Sequence, residues 1–383
     1  MSITLDEKPI FVLGCHRSGT TMLMLMIGAH PRISVPEVAW YYQRFRPYLY
    51  SYGDLNDEEN FRTLADEMVG GLIPPYFGMD VNPATIVDEI MADAKERSFA
   101  GIFNAVLERH AREDGNKPRW AEKSPNNSFF VKQIKEDFPN AQFIYITRDG
   151  RDNCAETLHS RHGLYNMVSA AERWKLFLEA VKPWRETLDP SEWMDIKYET
   201  LAREPEATLR RICEFIGEEY SPSMLDFHQS EVAQTRARVV KNPGGVSPAP
   251  LAEPVSDRFI GVYKELLSVK DQRIFAAIAG DVQTENGYEL DYEPEELSEE
   301  ALENFREQNG RMRAALLHAR GHMRDSYIEW LVDQREARKR QGIWTDADVP
   351  DEFPIGDPNE DTIMGRGAPR KWKTEFGIPR RYY

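Results

Sequence analysis

The chain has 383 residues, of which 41% are hydrophobic and 11% aromatic, a composition typical of a folded globular protein. Its formal net charge of −16 argues against a broad nucleic-acid-binding surface, which would have to be basic. The three scattered cysteines predict no disulfide framework, and neither a signal-peptide pattern nor an apolar run of the roughly 20 residues that span a membrane is present. We therefore expect a cytoplasmic protein with no nucleic-acid partner and no membrane span.

The first predicted elements form a strand, a glycine-bounded loop and a helix. Ile10–Leu13 is a short apolar run that predicts a buried strand. Residues 14–21 carry glycines and hydroxyl side chains, and residues 22–29 are apolar on every face, which predicts a buried helix. Because backbone N–H groups of such a loop and helix N-terminus point at one spot, this order indicates a phosphate-binding cradle.

This loop differs from the P-loop of nucleotide hydrolases at one position. The pattern G-x-x-x-x-G-K-[ST] would place lysine at position 20, where the chain has Thr20, and the nearest cation is Arg17 inside the loop. Without that lysine and without an evident Mg²⁺ carboxylate, the loop suits a nucleotide that does not give up a γ-phosphate. Taken alone, the loop is also compatible with a strand–turn–helix whose glycines are incidental. Cys15 is expected to be a buried thiol rather than a nucleophile.

Three charged residues follow short predicted strands farther along the chain. Glu37 follows the extended segment 33–35, Lys123 ends a strand that Pro118 and Pro125 bracket, and Arg148 follows the central strand 140–147. Ligands of open α/β sheets bind outside the carboxyl ends of the strands, so all three are candidates, and Arg148 is placed for bidentate phosphate binding. The alternatives are a solvated turn acid for Glu37, a surface lysine for Lys123, and a structural network of Arg148 with neighbouring aspartates.

The remaining pattern defines the fold class. Helices are expected from Asn126 or Asn127 through Phe138, over 152–161, over 169–184 and over 204–217, with a strand at 193–199. The aromatic residues between 41 and 52 are expected mainly to pack in the core. Strands and helices that alternate in this way predict an α/β fold with a mostly parallel central sheet and helices on both faces.

Several of these motifs, taken together, resemble the sulfotransferases that use 3′-phosphoadenosine-5′-phosphosulfate (PAPS), and most closely their Golgi-type and tyrosylprotein branch with its bacterial relatives. The segments that carry the resemblance lie in one order over roughly residues 9 to 265. They are His16-Arg-Ser-Gly-Thr-Thr-Met-Leu, Ala29-His-Pro with Pro36-Glu37, Glu122-Lys-Ser-Pro, Phe143-Ile-Tyr-Ile-Thr-Arg-Asp-Gly-Arg-Asp, Ile196-Lys-Tyr-Glu-Thr-Leu with the helix after it, and Val240-Lys-Asn-Pro.

The resemblance implies a P-loop-like sulfotransferase fold and a role for each matched residue. Arg17 would contact the transferred sulfonate, Arg148 the 3′-phosphate, and Tyr198 would lie near the adenine. The other implied nucleotide-binding residues are Ser18, Gly19, Thr20 and Thr21 around the 5′-phosphate and Lys241 in a late loop.

One position departs from the family pattern. Eight residues after the 3′-phosphate arginine the family usually has serine, and this chain has Glu156. A carboxylate facing inward would repel the phosphate, so we expect either that Glu156 points away or that Thr157 or Ser160 replaces the serine.

The implied reaction is in-line transfer of the sulfuryl group from PAPS to an acceptor hydroxyl, with PAP, the desulfonated nucleotide, as product. Charge grows on the bridging oxygen, where Arg17 and Lys123 would act as fixed cations, and Glu37 would accept the hydroxyl proton. No metal is required. The class of hydroxylated acceptor does not follow from the sequence.

The last third of the chain has a different character. Residues 281–307 are acid-rich, which predicts a solvated connector, and 311–340 have apolar residues at helical spacing, which predicts one amphipathic helix. The Pro- and Gly-rich end with its basic and aromatic residues is interpreted as an arm that wraps the body, the acceptor site or a second subunit, giving a homo-oligomer. We thus predict a catalytic domain at 1–280 and a helical extension at 281–383.

Two other functions stay open at this point. One is a P-loop nucleotide or metabolite kinase, against which the missing lysine at position 20 counts. The other is a non-catalytic nucleotide-binding scaffold of the same fold, for which Glu156 is the warning sign.

Overall fold

The computed structural model describes residues 3–36, 40–70, 83–159, 164–234, 249–320 and 323–350. Its strands are β1 (Ile10–Leu13), β2 (Ile33–Ser34), β3 (Arg119–Lys123), β4 (Gln142–Thr147) and β5 (Trp193–Lys197). They form one sheet in the order β2-β3-β1-β4-β5. The pairs β2/β3 and β4/β5 are parallel, with Ile33 opposite Arg119 and Ile146 opposite Ile196. The predicted α/β class with a parallel sheet is confirmed.

In chain order, the first ten α-helices of the described residues are α1 (Thr20–Gly28), α2 (Tyr41–Arg44), α3 (Glu58–Gly70), α4 (Pro83–Asp93), α5 (Phe99–Glu113), α6 (Val131–Asp137), α7 (Gly150–Leu158), α8 (Met167–Thr187), α9 (Tyr198–Arg203) and α10 (Pro205–Ile216). Later helices cover Tyr263–Leu266, Val269–Glu285, Glu299–Arg320 and Met323–Arg340. Short 3₁₀ helices cover Arg46–Tyr52, Pro125–Phe129, Pro222–Met224, Phe227–Gln229, Ala249–Ala252 and Asp346–Asp348. Within the described residues, every helix is too short or too polar to cross a bilayer.

The described residues divide into two compact units. The first lies within Met1–Phe11, Arg32–Gln142 and Gly321–Tyr383, and the second within Val12–Pro31 and Phe143–Arg320. The predicted division into a catalytic domain at 1–280 and an extension at 281–383 stays a prediction.

The core of the first unit is aromatic. Phe11 packs edge-on against Trp120 at 5.7 Å and against Tyr42 at 6.2 Å between ring centroids, and Phe103 lies 5.4 Å from Tyr42. The Trp120 indole N–H donates to Asn104 at 3.0 Å, so its polar atom is satisfied inside the core. Five of the six tyrosines and phenylalanines between 41 and 52 are buried, among them Tyr41 and Tyr52 at 1% exposure, which agrees with the expectation that this segment mainly packs.

The second unit is built around the longest helix of the central region, α8. It packs against α7 and against the helix Val269–Glu285, with the Trp174 and Phe275 rings 5.7 Å apart. The Trp174 indole N–H also donates to the Arg148 carbonyl at 3.2 Å. This packing anchors the end of β4 and the start of α7, where the candidate site lies.

The helix predicted after Lys123 differs from the observed one. The chain forms the 3₁₀ helix Pro125–Phe129 before α6, and neither asparagine caps a helix. Asn126 and Asn127 are buried, and their amides donate to Gln43 at 2.7 Å and to Glu122 at 2.6 Å. A buried amide bonds the nearest buried acceptor first, because leaving that acceptor unpaired is costly.

The C-terminal third also departs from expectation. The predicted connector over 281–307 is correct only for 286–298, because the flanking residues belong to helices. Val282 and Gln283 are buried, whereas the Asp281 carboxylate is exposed and pairs with Lys175, so acid-rich composition hid a helix with one buried face. The single helix predicted over 311–340 is instead two helices, Glu299–Arg320 and Met323–Arg340. The basic-aromatic arm from 351 onward lies outside the described residues.

Candidate functional site

The strand, glycine-bounded loop and helix predicted around β1 and α1 are present. α1 starts at Thr20 directly after Gly19, which has φ 91°, and Arg17 also lies in the left-handed region with φ 68°. Left-handed backbone at a non-glycine residue is uncommon and concentrates at functional sites. Gly19 offers no side chain to cap α1, so the N–H groups of the first turn remain directed toward the loop.

Two glycines make this compact loop possible. A Cβ at Gly14, with φ 146°, would lie 2.6 Å from the Ile146 carbonyl oxygen, and one at Gly19 would lie 2.6 Å from Cδ2 of Tyr198. Both distances are far inside van der Waals contact, and both φ values disfavour a side chain. The loop therefore depends on glycine at both ends, as the motif spacing indicated.

Asn153 on α7 holds the same loop from the other side. Its amide donates to the His16 carbonyl at 2.6 Å and to the Ser18 hydroxyl at 3.0 Å, and the Cys15 thiol lies 3.9 Å from its side-chain oxygen. Asn153 is fully buried. It thus contacts the loop at three positions between 15 and 18, and Cys15, at 1% exposure, is the buried thiol that was expected.

A cluster of charged side chains in the second unit joins Arg17, Arg148 and Glu156. Arg148 is 2% exposed and its NH1 group donates to the Arg17 carbonyl at 2.9 Å and to Glu156 Oε1 at 2.7 Å. Its NH2 group donates to the Phe259 carbonyl at 2.6 Å, and its guanidinium lies 4.6 Å from the ring centroid of Tyr198. Arg17 NH2 reaches the other carboxylate oxygen of Glu156, also at 2.7 Å. One carboxylate thus bridges two arginines.

The electrostatics of this bridge follow from its burial. Burial alone would raise the pKa of the Glu156 carboxyl, but the charges of Arg148 and Arg17 outweigh it and keep that pKa below its ordinary value. Glu156 is therefore ionised at neutral pH. Among the described residues, the buried Nε atoms of both Arg17 and Arg148 have no hydrogen-bond partner. The pair thus keeps two donors that a bound anion can use.

The turn after Arg148 is held by carboxylates. Asp149 accepts from the Arg151 backbone N–H at 2.9 Å and pairs with the Arg151 guanidinium at 2.7 Å. Asp152 instead accepts from the backbone N–H groups of Gly261 at 2.7 Å and Tyr263 at 2.9 Å, and burial raises its pKa to about 6. Asp149 thus orients the turn through Arg151, whereas Asp152 ties α7 to the segment near 261.

Lys123 lies in the first unit, at the end of β3. It is 4% exposed, and burial lowers the pKa of its ammonium to about 8. Its neighbour Glu122 accepts hydrogen bonds from the Ser124 hydroxyl and from Asn127, and burial raises the pKa of Glu122 to about 7. Lys123 is therefore a buried residue at a strand end rather than a surface lysine.

Comparison with known proteins now decides the family. The model of the Sulfotransferase family matches residues 9–222, more than half of the 383 residues. The chain belongs to the sulfotransferase family. The match contains the glycine loop, β3 with Lys123, and the segment from Arg148 to Tyr198.

Individual relatives of this family member are distant. A protein-tyrosine sulfotransferase of Drosophila melanogaster is 25% identical over 260 residues, which are 66% of this chain and 45% of the relative. The omega-hydroxy-beta-dihydromenaquinone-9 sulfotransferase Stf3 of Mycobacterium bovis is 24% identical over 244 residues, or 55% of this chain and 63% of the relative. The chain therefore spans less than two thirds of the length of either. Among solved structures, a sulfotransferase domain from the curacin biosynthetic pathway covers 76% of this chain and 100% of its own, with 18% identity and a TM-score of 0.48.

The structure of this sulfotransferase-family chain brings together most of the predicted nucleotide-binding residues. Those placed within the second unit are Arg17, Ser18, Gly19, Thr20, Thr21, Arg148 and Tyr198. Lys123 belongs to the first unit, and Glu37 and Lys241 lie outside the described residues. In the described part of the chain, no cluster of three or more His, Cys, Asp or Glu side chains is arranged to hold a metal ion.

The expectation that Glu156 points away is wrong, because its carboxylate faces both arginines. The Thr157 hydroxyl accepts a hydrogen bond from Arg173 and Ser160 lies outside the described residues, so the alternative that one of them replaces the serine stays a prediction. Sequence reasoning also missed Asn153, for which the available signal was its place on the predicted helix 152–161, five residues after Arg148.

Proposed function

We propose that this member of the sulfotransferase family transfers the sulfuryl group of PAPS to an acceptor hydroxyl by in-line displacement. The observation that carries the proposal is the pair of the half-buried Arg17 and the buried Arg148 at the glycine loop, with a buried, unpartnered Nε donor on each among the described residues. Two cations beside an uncapped helix N-terminus suit a nucleotide with several anionic groups. The glycines that let the loop approach Tyr198 closely support the same ligand class.

The roles within this proposal follow the family positions. Loop residues 18–21 bind the 5′-phosphate through backbone N–H groups and hydroxyls. Arg148 binds the 3′-phosphate, and Tyr198, whose ring already contacts the Arg148 guanidinium, lies beside the adenine. Lys241 takes the role that its family position implies, near the nucleotide or the loop that closes over it.

The proposed chemistry needs cations at the bridging oxygen and a base at the acceptor. PAPS supplies an activated sulfuryl group: a bond from sulfur to the acceptor oxygen forms while the bond from sulfur to the 5′-phosphate oxygen breaks. Arg17 and Lys123 stabilise the negative charge on the leaving oxygen, a task typically worth about 10²–10³ in rate for each donor. Glu37 takes the acceptor proton. With a pKa of about 8, Lys123 is mostly a cation at neutral pH.

The acceptor in this proposal is a hydroxylated compound, and the names of two relatives suggest two different classes of acceptor. One relative is named for tyrosine in proteins and another for an omega-hydroxylated menaquinone derivative. A tyrosine-containing peptide and a primary alcohol on an apolar chain are therefore the first two acceptors to test. A cytoplasmic location and self-association through the C-terminal arm stay predictions.

Calorimetry of the full chain with PAP and with Mg-ATP tests the donor class. We expect PAP to bind more tightly, and a preference for Mg-ATP would refute the proposal and favour a kinase. PAPS consumption over an acceptor panel then tests turnover, with product identified by mass spectrometry. Tight PAP binding without sulfonated product from any acceptor would favour the non-catalytic scaffold.

A further inference from the structure

Glu156 stands at the position where the sulfotransferases that this chain resembles usually have serine. It lies on α7, eight residues after Arg148, and is itself only 8% exposed. Its two carboxylate oxygens are divided between two cations, with Oε1 on Arg148 and Oε2 on Arg17, each at 2.7 Å. Among the described residues, no other carboxylate pairs with both of these arginines.

The charges of this cluster balance without any ligand. The cations are Arg17 and Arg148, and the anions are Glu156, which pairs with both arginines, and Asp152. Burial lowers the pKa of the Arg148 guanidinium, but the charges of Glu156 and, after Tyr198, of Asp152 raise it. The four formal charges sum to zero. An arginine pair that binds a doubly charged phosphate normally contributes an excess of positive charge, and here two carboxylates remove that excess.

The hydrogen bonds of Arg148 lead to the same conclusion. Its NH1 donors are committed to Glu156 and to the Arg17 carbonyl, and NH2 donates to the Phe259 carbonyl. Of the three guanidinium nitrogens of Arg148, Nε alone is without a hydrogen-bond partner among the described residues, and it is buried. A phosphate that engages this guanidinium therefore meets the Glu156 carboxylate on the same group, and like charges so close repel strongly in a buried environment.

We propose that Glu156 is a specificity-determining residue that competes with the nucleotide's 3′-phosphate for Arg148 and so limits the preference of this site for 3′-phosphorylated nucleotides. The inference rests on the proposed function for the class of donor. Glu156 acts through the two arginines, so it is a positioning residue, and its effect falls on the 3′-phosphate rather than on the 5′-phosphate held by the loop.

The test compares two nucleotides that differ only in the 3′-phosphate. Calorimetry gives the affinities of PAP and of adenosine 5′-phosphate for the wild type and for Glu156→Gln, which keeps the side-chain length and removes the charge. We expect the ratio of the two affinities to shift toward PAP by about tenfold or more in the variant, through tighter PAP binding. A general loss of structure would weaken both nucleotides and leave the ratio unchanged.

Two further variants serve as a control and as a replacement for the first variant. Glu172→Gln removes a carboxylate of the same unit that pairs at the surface with Arg306, and it should leave the ratio unchanged. Glu156→Ser is the second variant should the glutamine form fail to fold, and we expect the same shift. Thermal unfolding of the variants with each nucleotide supplies an independent reading, since PAP should raise the melting temperature of Glu156→Gln more than adenosine 5′-phosphate does.

The outcomes separate this inference from the proposed function. If both nucleotides bind and the ratio is the same in wild type and in the Glu156 variants, Glu156 has no part in 3′-phosphate selectivity and the inference is overturned. Weaker PAP binding in the variants would overturn it as well, by making Glu156 a ligand in favour of the phosphate. If neither nucleotide binds any form, the donor class itself is refuted, and the inference with it.

Discussion

Arg148→Ala removes the buried cation that joins the glycine loop, Glu156 and Phe259 in the candidate nucleotide site. The 2%-exposed guanidinium donates to the Glu156 carboxylate at 2.7 Å and to the carbonyls of Arg17 and Phe259 at 2.9 and 2.6 Å. All three acceptors belong to the second unit. Their loss of a donor, rather than a change of shape, is the main effect that we expect.

The expected magnitude follows from these contacts. Removing one partner of a buried ion pair typically costs about 3–5 kcal/mol in the free energy of unfolding. Because Glu156 keeps its second cation, Arg17, we expect the low end of that range, about 3 kcal/mol. Truncating one side of a buried charge pair in a complex costs about 2–5 kcal/mol. Since Arg148 shares its charge with Glu156, PAP affinity should fall by about 2 kcal/mol, close to 30-fold.

Urea unfolding and calorimetry measure the two effects. Adenosine 5′-phosphate, which lacks the 3′-phosphate, should bind the variant almost as well as the wild type. Arg306→Ala is the matched control, because its guanidinium is 39% exposed where it pairs with the 23%-exposed Glu172, and pairs open to solvent contribute far less than buried ones, about 1 kcal/mol or less. Equal losses for both nucleotides, or a stability change no larger than that of the control, would refute the role of Arg148.

Three further predictions concern the loop, the base and the buried acid of β3. Gly19→Ala, at φ 91° and 2.6 Å from Tyr198, should lower the free energy of unfolding by about 1–3 kcal/mol and weaken PAP binding in calorimetry. Gly217→Ala is its control, with φ 76° and no described atom within 4 Å of the added carbon, and equal effects of the two changes would contradict the steric argument. Glu37→Gln should reduce PAPS turnover by about 10²–10⁴ with PAP affinity unchanged, and near-normal turnover would move the base elsewhere. Burial raises the pKa of Glu122 from 4.5 to about 7, so the unfolded chain releases a proton that the folded chain keeps, and stability should fall as pH rises through that window. Glu122→Gln should flatten this fall in urea midpoints measured across the window, and a profile identical to that of the wild type would show that Glu122 does not cause it.

Sequence alone determined the features that rest on contiguous residues. The apolar run of β1, the two glycines after it and the apolar start of α1 predicted a strand–loop–helix unit that the structure confirms, because strand, turn and helix preferences are local. The same holds for Arg148, which the buried strand β4 places at its carboxyl end. The order of several such motifs was enough to indicate the family that residues 9–222 match.

Tertiary structure alone decided which side chains meet. Arg17 and Glu156 are 139 residues apart in sequence, and nothing local tells whether a carboxylate on α7 faces a loop after β1 or turns to solvent. The burial of Glu156 made the difference: a carboxylate removed from water is stable only when cations compensate it, and the two arginines are the cations within reach. For the same reason Asn126 and Asn127, predicted as helix caps, became buried donors to Gln43 and Glu122, since the demand of a buried acceptor outweighs the preference of an asparagine for a helix end.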